Sequence, residues 1–141
     1  MAVKQDTTSI SAAAETHIAS YCATLLSPDS KTSTERATKM ATYYLPNSSF
    51  STEERLIQLS GPSPITPLIA GVLDRVGSLP EVIGHRVEAV GENSAIIWLS
   101  LKVDQLEMSN VYVYRRTADG VAGFEGGIFD GEMWIMKNLN K

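Results

Sequence analysis

The chain has one cysteine, Cys22, among its 141 residues, so it cannot form a disulfide within itself. Its 12 Lys and Arg are outnumbered by 16 Asp and Glu, which leaves no basic excess for nucleic-acid binding. No apolar run approaches the roughly 20 residues that cross a bilayer. The first residues also lack the apolar block of a secretory signal. We therefore expect a cytoplasmic protein without a membrane or nucleic-acid partner.

Several catalytic signatures are missing as well. The sequence has no Gly-x-Ser-x-Gly turn for a nucleophilic serine, and no glycine-rich loop that opens a helix to hold phosphates. Its two histidines and one cysteine are too widely spaced to suggest a metal site. We expect a protein that works without a metal or another cofactor.

The composition that remains is typical of a folded protein. Hydrophobic residues make up 43% of the chain and charged residues 20%, which allows a buried core. Neither an internal repeat nor a low-complexity linker divides the sequence. We expect a single domain over residues 1–141.

Two helices are predicted near the start of the chain. Apolar residues recur at helical spacing from residue 10 to residue 25, and Pro28 ends that helix. Thr32 and Glu35 have the spacing of a capping box, in which Thr32 accepts from the backbone and Glu35 reaches back. The second helix then runs to about Tyr43, and Pro46 closes it.

A weakly strand-like stretch over residues 48–60 separates these helices from a third. Thr66 is a plausible N-cap for that third helix, because Pro67 fits its first helical position. Gly77 fits the C-terminal stop.

From Glu81 onward the apolar period changes from that of a helix to two, which predicts four strands. Residues 91–93 and 118–120 supply hairpin turns between them. The last predicted strand spans residues 121–136 and holds the acid-rich stretch GFEGGIFDGEMW. Helices followed by an antiparallel meander indicate an α+β fold with the helices packed on one face of the sheet.

Four stretches of this chain resemble one known superfamily, the SnoaL-like polyketide cyclases of the nuclear transport factor two-like fold. They are ATKMATYYLPNSSF, GPSPITPLIAGVLDRVGSLP, VEAVGENSAIIWLSLKV and DGVAGFEGGIFD. The resemblance that they carry covers nearly the whole chain. The resemblance implies a cone-shaped α+β barrel, in which a strongly curved, mostly antiparallel sheet wraps around helices and leaves an apolar pocket. It also implies a homodimer. The fold hosts isomerases, cyclases, dehydratases, epoxide hydrolases and non-catalytic binding modules, so it does not fix the function.

Within that superfamily the chain resembles small fungal enzymes that isomerise or cyclise meroterpenoid and indole-alkaloid intermediates. The shared features are its length, its unadorned N-terminus and an arginine before the Tyr-Leu-Pro turn. The expected function is therefore a cofactor-independent isomerase or cyclase, which acts by acid–base catalysis on a hydrophobic polycyclic intermediate of secondary metabolism. A dehydratase or epoxide hydrolase, and a non-catalytic small-molecule-binding or dimerisation module, are the alternatives.

Such an enzyme needs an acid or base in an apolar cavity and a hydrogen-bond donor facing the oxygen that gains charge. Asp130 matches the terminal aspartate of the superfamily pattern, although it also fits a strand-end aspartate that bonds backbone amides at a turn beside Gly131. Glu125 is the other candidate. Strand alternation places Asp130 on the face of Phe124 and Glu125 on the opposite face, unless a bulge forms at residues 126–127.

Candidate donors lie on other elements. Tyr112 and Tyr114 share a strand face with Met108 and Asn110, and they serve as donors if that face is concave. On the convex face they would line a dimer interface instead. Arg36 shares a helix face with Met40 and Tyr43, and Tyr44 is close by. It could polarise a carbonyl, or it could be a surface arginine that pairs with Glu35 or a neighbouring chain.

The remaining candidates are weaker. His85 lies mid-strand on the apolar face of Ile83 and Val87, where it is a proton shuttle or, more often, a satisfied core residue. Trp98 could form a pocket wall, and Glu132 near the cone rim is more easily a solvated charge. The catalytic candidates are Asp130, Glu125, Arg36, Tyr112 and His85, and the substrate-binding candidates are Tyr44, Tyr114, Met40, Trp98 and Phe124.

Overall fold

The computed structural model describes residues 9–139. Helices and strands alternate irregularly along these residues, and the last element is a helix. In chain order the elements are α1 (Ile10–Leu26), α2 (Ser33–Ala41), β1 (Tyr44–Thr52), β2 (Gln58–Ser60), α3 (Ile65–Val76), β3 (Glu81–Ala89), β4 (Ser94–Val103), β5 (Leu106–Arg116), β6 (Ala122–Phe129) and α4 (Glu132–Leu139). No helix within residues 9–139 is long and apolar enough to cross a membrane.

The six strands form one curved sheet in the order β2-β1-β6-β5-β4-β3. Neighbouring strands are antiparallel except β1 and β6, which are parallel. In β4 every second residue is buried, from Ala95 to Val103, and the residues between them are only partly covered. One face of the sheet therefore packs on the helices, and the core lies between them. The predicted α+β fold with a mostly antiparallel sheet is confirmed.

Local sequence signals account for the ends of α2 and α3. The Thr32 hydroxyl accepts a hydrogen bond from the Glu35 N–H at 3.0 Å, and the Glu35 carboxylate accepts from the Lys31 N–H at 3.1 Å. This is the predicted capping box, with Glu35 reaching one residue before the N-cap. Helix α2 ends at Ala41, two residues short of the predicted Tyr43, because β1 begins soon after.

Helix α3 begins two residues earlier than predicted, with Pro64 rather than Thr66 as its N-cap. It ends as predicted at Gly77, which takes a left-handed conformation with φ of 76°.

The strand predicted over residues 121–136 is wrong beyond Phe129. Strand β6 ends there, Gly131 has a φ of 85°, and α4 follows. Glu132 and Trp134 therefore lie on a helix and not at a strand rim. The apolar residues of this segment fit a helix and a strand about equally well over so short a length.

Strand β6 also carries a bulge that changes which of its residues share a face of the sheet. Val113 pairs with Gly126 and Tyr114 pairs with Phe124, so Glu125 is the extra residue between the two pairs. Alternation therefore restarts after Glu125, and Phe124 and Phe129 are both buried in the core. The predicted shared face of Phe124, Gly126, Ile128 and Asp130 is wrong, because this extra residue shifts the register.

Gly127, two residues after the bulged Glu125, permits close approach between strands. A Cβ on Gly127 would lie 1.9 Å from the Val111 carbonyl oxygen and 2.9 Å from the ring of Phe50, and its φ of 153° is unusual for other residues. The space beside Gly127 is filled by its neighbours and is not available to a ligand.

Candidate functional site

A cavity of about 90 Å³ lies between the helices and the inner face of the sheet. Its walls are mostly aliphatic, and the residues with polar side chains that line it are Tyr21, Asn110, Tyr112 and Asp130. The apolar residues that line it are Leu25, Met40, Leu68, Ile69, Val72, Leu73, Pro80, Leu101, Val103, Met108, Phe129 and Ile135. Small-molecule pockets usually have about 300–1,000 Å³. A polycyclic compound would fit here only after the cavity widens.

Asp130 lies at the cavity just beyond the end of β6. Its Oδ2 accepts a hydrogen bond from the Ser109 N–H at 2.9 Å, and its Oδ1 accepts from the Gly131 N–H at 2.7 Å. These are the backbone bonds expected of a strand-end aspartate, and yet the residue also lines the cavity. Each carboxylate oxygen can accept a second bond, so the group can still receive a proton from a ligand.

Tyr112 is only 1% exposed and lines the same cavity. Its oxygen accepts a hydrogen bond from the Asn110 Nδ2 at 3.3 Å. Burial raises the pKa of Tyr112 to about 12, although hydrogen bonds from neighbouring side chains oppose that rise. At neutral pH the phenol therefore keeps its hydrogen and acts as a donor.

Two further phenols stand beside Tyr112. The hydroxyls of Tyr21 and Tyr44 are 2.7 Å apart, and burial raises the pKa of both well above the usual value. Tyr21 lines the cavity, whereas Tyr44 is buried behind it and does not. The three phenols form a buried polar cluster that can share hydrogens with a ligand.

Arg36 does not line this cavity, contrary to the placement predicted for it. The side chain is 7% exposed and lies at the C-terminal end of α1. Its Nη1 donates to the carbonyls of Leu25 and Ser27, both at 2.6 Å, with longer bonds from the guanidinium to Thr24 and Ser30. The last carbonyls of a helix lack partners within it, and the planar fork of an arginine satisfies several at once.

Glu125 and His85 also lie away from the cavity. Glu125 follows the buried Phe124 and lies on the outer face of the sheet, where it pairs with Arg115 at 3.2 Å. His85 lies on the edge strand β3 with its Nε2 2.6 Å from a carboxylate oxygen of Glu15 in α1. A register shift at Ile83 also removes that residue from the face of His85.

The predicted substrate-binding residues are divided between the cavity, the core and the outer face. Met40 lines the cavity. Phe124 and Tyr114 are buried on the inner face but pack against His17, at ring distances of 4.7 and 4.9 Å. Trp98 is on the outer face, with the Arg86 guanidinium carbon 4.0 Å from its ring centroid.

The sequence places Asn110 on the strand face of Tyr112 but does not predict its connection to Asp130. Its Oδ1 accepts a hydrogen bond from the Asp130 N–H at 2.8 Å. The signal available was a polar residue on an otherwise apolar strand face. Tyr21 falls on the apolar face of α1, so its spacing gives no sign of the hydroxyl that it brings to the cavity region.

Glu132 is the largest departure from expectation. It is 1% exposed, whereas the sequence favoured a solvated charge at the rim. Its Oε2 accepts hydrogen bonds from the Thr52 hydroxyl and from the Leu56 N–H, the latter at 3.1 Å. The residue therefore ties the start of α4 to the turn after β1. Because the segment was predicted as a strand, nothing in the sequence pointed to this contact.

Comparison by sequence finds no family model and no curated protein that matches this chain. Comparison by structure finds many matches, three of which belong to different classes of protein. A hexachlorocyclohexane dehydrochlorinase from Novosphingobium barchaimii has a TM-score of 0.59 at 16% identity, over 84% of this chain and 86% of its own. A candidate isomerase of the SnoaL-like family from Agrobacterium tumefaciens has a TM-score of 0.55 at 15% identity, over 82% and 94%.

The third is a candidate calcium/calmodulin-dependent protein kinase II association domain from Xanthomonas campestris, with a TM-score of 0.58 at 13% identity over 93% and 97%. Identities this low show a shared fold alone. The SnoaL-like fold is therefore confirmed, and the narrower resemblance to fungal meroterpenoid and alkaloid enzymes stays a prediction.

Proposed function

We propose that this protein is a cofactor-independent enzyme of the isomerase type, which moves a proton on a hydrophobic carbonyl compound. The observation that supports it is the cavity itself, because Asp130 and Tyr112 are both among the residues that line one apolar space. A base and a donor at one end of a dry cavity are the two groups that enolisation requires.

In the proposed reaction Asp130 removes a proton from the carbon next to the substrate carbonyl. The electron pair moves to the carbonyl oxygen, and Tyr112 donates a hydrogen bond to that oxygen as it gains charge. The Asp130 carboxyl then returns the proton to a different carbon. One C–H bond breaks and another forms while a double bond moves, so no cofactor is needed.

The size of the cavity limits the substrate. We propose that the reacting ring occupies the cavity and that the rest of a larger polycyclic intermediate lies toward the mouth. The aliphatic lining from α3 and β4 suits an uncharged ring, because Asp130 is the only charged side chain among the lining residues. A secondary metabolite remains our proposal for the natural substrate.

The test uses cyclohex-3-enone, a small ketone whose isomerisation to the conjugated enone raises its ultraviolet absorbance. Asp130→Asn should lower kcat by about 100-fold, which is the lower range for the loss of a general base. Glu125→Gln is the matched control, because it removes a carboxylate from the outer face of the same strand. Equal rates in the two variants, with both folds intact, would mean that Asp130 is not the base.

Two other functions fit the same fold. The dehydrochlorinase among the similar structures favours an elimination, in which the same base removes a proton and a leaving group departs. The association domain favours a non-catalytic module, and the small cavity agrees with that function. If the wild-type protein neither isomerises the enone nor exchanges the α-hydrogens of cyclohexanone in heavy water, the enzyme proposal fails and the module is preferred.

We also propose a homodimer that forms through the outer face of the sheet. Trp98, Val111 and Ile128 are cross-strand neighbours on that face and form an apolar row across β4, β5 and β6. Ile128 is 44% exposed in the single chain. A continuous apolar row on a surface is typical of a protein interface.

A further inference from the structure

We infer that Asn110 is a positioning residue, which holds Asp130 in place and fixes the direction in which the Tyr112 hydroxyl donates. The inference rests on the proposed function, because it concerns the two groups that are expected to act on the substrate. Asn110 is 9% exposed and lies on β5, directly after Ser109 and two residues before Tyr112.

The orientation of the Asn110 amide follows from its partners. The Asp130 backbone N–H can only donate, so the atom 2.8 Å from it must be the amide oxygen. This places the amide nitrogen 3.3 Å from the Tyr112 oxygen. An amide nitrogen can only donate, so the Tyr112 oxygen is the acceptor. The hydrogen of Tyr112 is then free to point to a ligand or to the neighbouring phenols.

Donation from Asn110 also changes what Tyr112 can do. A hydrogen bond accepted by a phenol oxygen polarises its O–H group, which becomes a stronger donor. The same bond stabilises negative charge on that oxygen. Burial raises the pKa of Tyr112, and the hydrogen bond from Asn110 is the first of the effects that limit the rise to about 12.

The side-chain oxygen of Asn110 acts on Asp130. Strand β6 ends at Phe129, so Asp130 lies beyond the regular strand. Its N–H donates to the side-chain oxygen of Asn110. Ser109, the residue before Asn110, donates its N–H to the Asp130 carboxylate at 2.9 Å. Two successive residues of β5 thus hold the main chain and the side chain of Asp130. They set where its carboxylate stands relative to Tyr112.

The first test needs no ligand. Tyrosines labelled with ¹³C at Cζ report on hydrogen bonding at their oxygens, and Tyr112→Phe identifies the Tyr112 resonance. Asn110→Asp keeps an acceptor for the Asp130 N–H and, when its carboxyl is ionised, has no donor for Tyr112. We expect the Tyr112 resonance to shift and to titrate with the new carboxyl. The exposed Asn47→Asp adds the same charge elsewhere and should leave it unchanged.

If Asn110→Asp does not fold, Asn110→Thr replaces it, because a single hydroxyl cannot occupy both positions of the amide. Either variant should also change the backbone amide chemical shifts of Asp130 or Tyr112. An unshifted Tyr112 resonance in a folded variant would overturn the inference.

The second test is a double-mutant cycle on the isomerisation of cyclohex-3-enone. Asn110→Asp should lower kcat by about tenfold with KM little changed, because it weakens a bond that matters most in the transition state. In a Tyr112→Phe background the same change should have little further effect, since the group through which it acts is gone. Additive losses would contradict the inference. If the wild type neither converts the enone nor exchanges the α-hydrogens of cyclohexanone, the proposed function fails, and the Tyr112 resonance still decides the role of Asn110.

Discussion

Glu132 and Thr52 lie far apart in the sequence, and yet the Thr52 hydroxyl donates a hydrogen bond to the Glu132 carboxylate inside the fold. The Thr52 oxygen accepts in turn from the Ile57 N–H at 3.2 Å. A chain of bonds thus joins the turn between β1 and β2 to the first residue of α4. Because α4 supplies Ile135 to the cavity, this contact also holds one wall of the candidate site.

Replacing Glu132 should destabilise the protein in a graded way. Glu132→Ala leaves the Thr52 hydroxyl and the Leu56 N–H without their acceptor, at a cost of about 3 kcal/mol in the free energy of unfolding. Glu132→Gln keeps one oxygen for both donors and should cost less. Urea unfolding measures the difference, with the exposed Glu54→Ala as control. An effect of Glu132→Ala as small as that of the control would show that the bonds contribute nothing.

Changing Arg36 should affect stability and not chemistry. Arg36→Lys puts a single ammonium where a guanidinium donates to several carbonyls, so the end of α1 loses partners. We expect a loss of about 2 kcal/mol in the free energy of unfolding, within the range for buried unsatisfied groups. The enone rate of the folded fraction should stay within about twofold of the wild type, a change worth less than 0.5 kcal/mol in activation energy. A large fall in kcat without a fall in stability would restore Arg36 to the catalytic candidates.

Stability should fall as the pH drops below the usual pKa of histidine, and His17 should be a main cause. Its Nε2 lies 3.1 Å from the Tyr43 carbonyl oxygen, which can only accept, so the nitrogen carries a hydrogen. Burial lowers the pKa of His17 from 6.5, and the bond to Tyr43 only partly opposes this. The unfolded chain therefore binds a proton at a pH where the folded chain does not. That difference makes stability rise with pH from the lowered value up to about 6.5.

The measurement for His17 is thermal unfolding between about pH 5.5 and 7.5, where other side chains with ordinary pKa values titrate little. His17→Gln can still donate to Tyr43 and should lose less stability over this window than the wild type. His85→Gln is the control for the other histidine. An identical pH dependence in wild type and His17→Gln would contradict the assignment.

The proposed dimer can be tested on its apolar row. Ile128→Lys places a charge beside Trp98 and Val111 and should shift the protein toward monomer in sedimentation velocity. Leu79→Lys is the control, because Leu79 is similarly exposed at 45% but lies outside the sheet. A monomeric wild type at high concentration, or a dimer unaffected by Ile128→Lys, would rule out this face as the interface.

Patterns of short range predicted much of the fold. The capping box at Thr32 and the stop at Gly77 depend on residues that are near in sequence, and both are present. The alternation in β4 and β5 correctly placed Tyr112 and Asn110 on one face. Such features are local, because each helix end or strand face is set by neighbouring residues.

The candidate site was predictable only in part. Asp130 and Tyr112 were chosen from the sequence, and both line the cavity. Glu125 was excluded because it follows the buried Phe124 and lies on the opposite face of the sheet, where it pairs with Arg115. Arg36 was excluded because its guanidinium donates to carbonyl groups at the end of α1 and does not line the cavity. A sequence gives no sign of such partners.

The sequence by itself determined the α+β order, the helix caps and the alternation that makes one face of the sheet apolar. Only the tertiary structure decided which carboxylate reaches the cavity, since the acid-rich stretch divides into a bulged strand, a turn and a helix. Asp130 ends at the cavity, Glu125 at the outer face and Glu132 in the core. Those positions depend on long-range bonds to Ser109, Arg115 and Thr52, which no local pattern encodes.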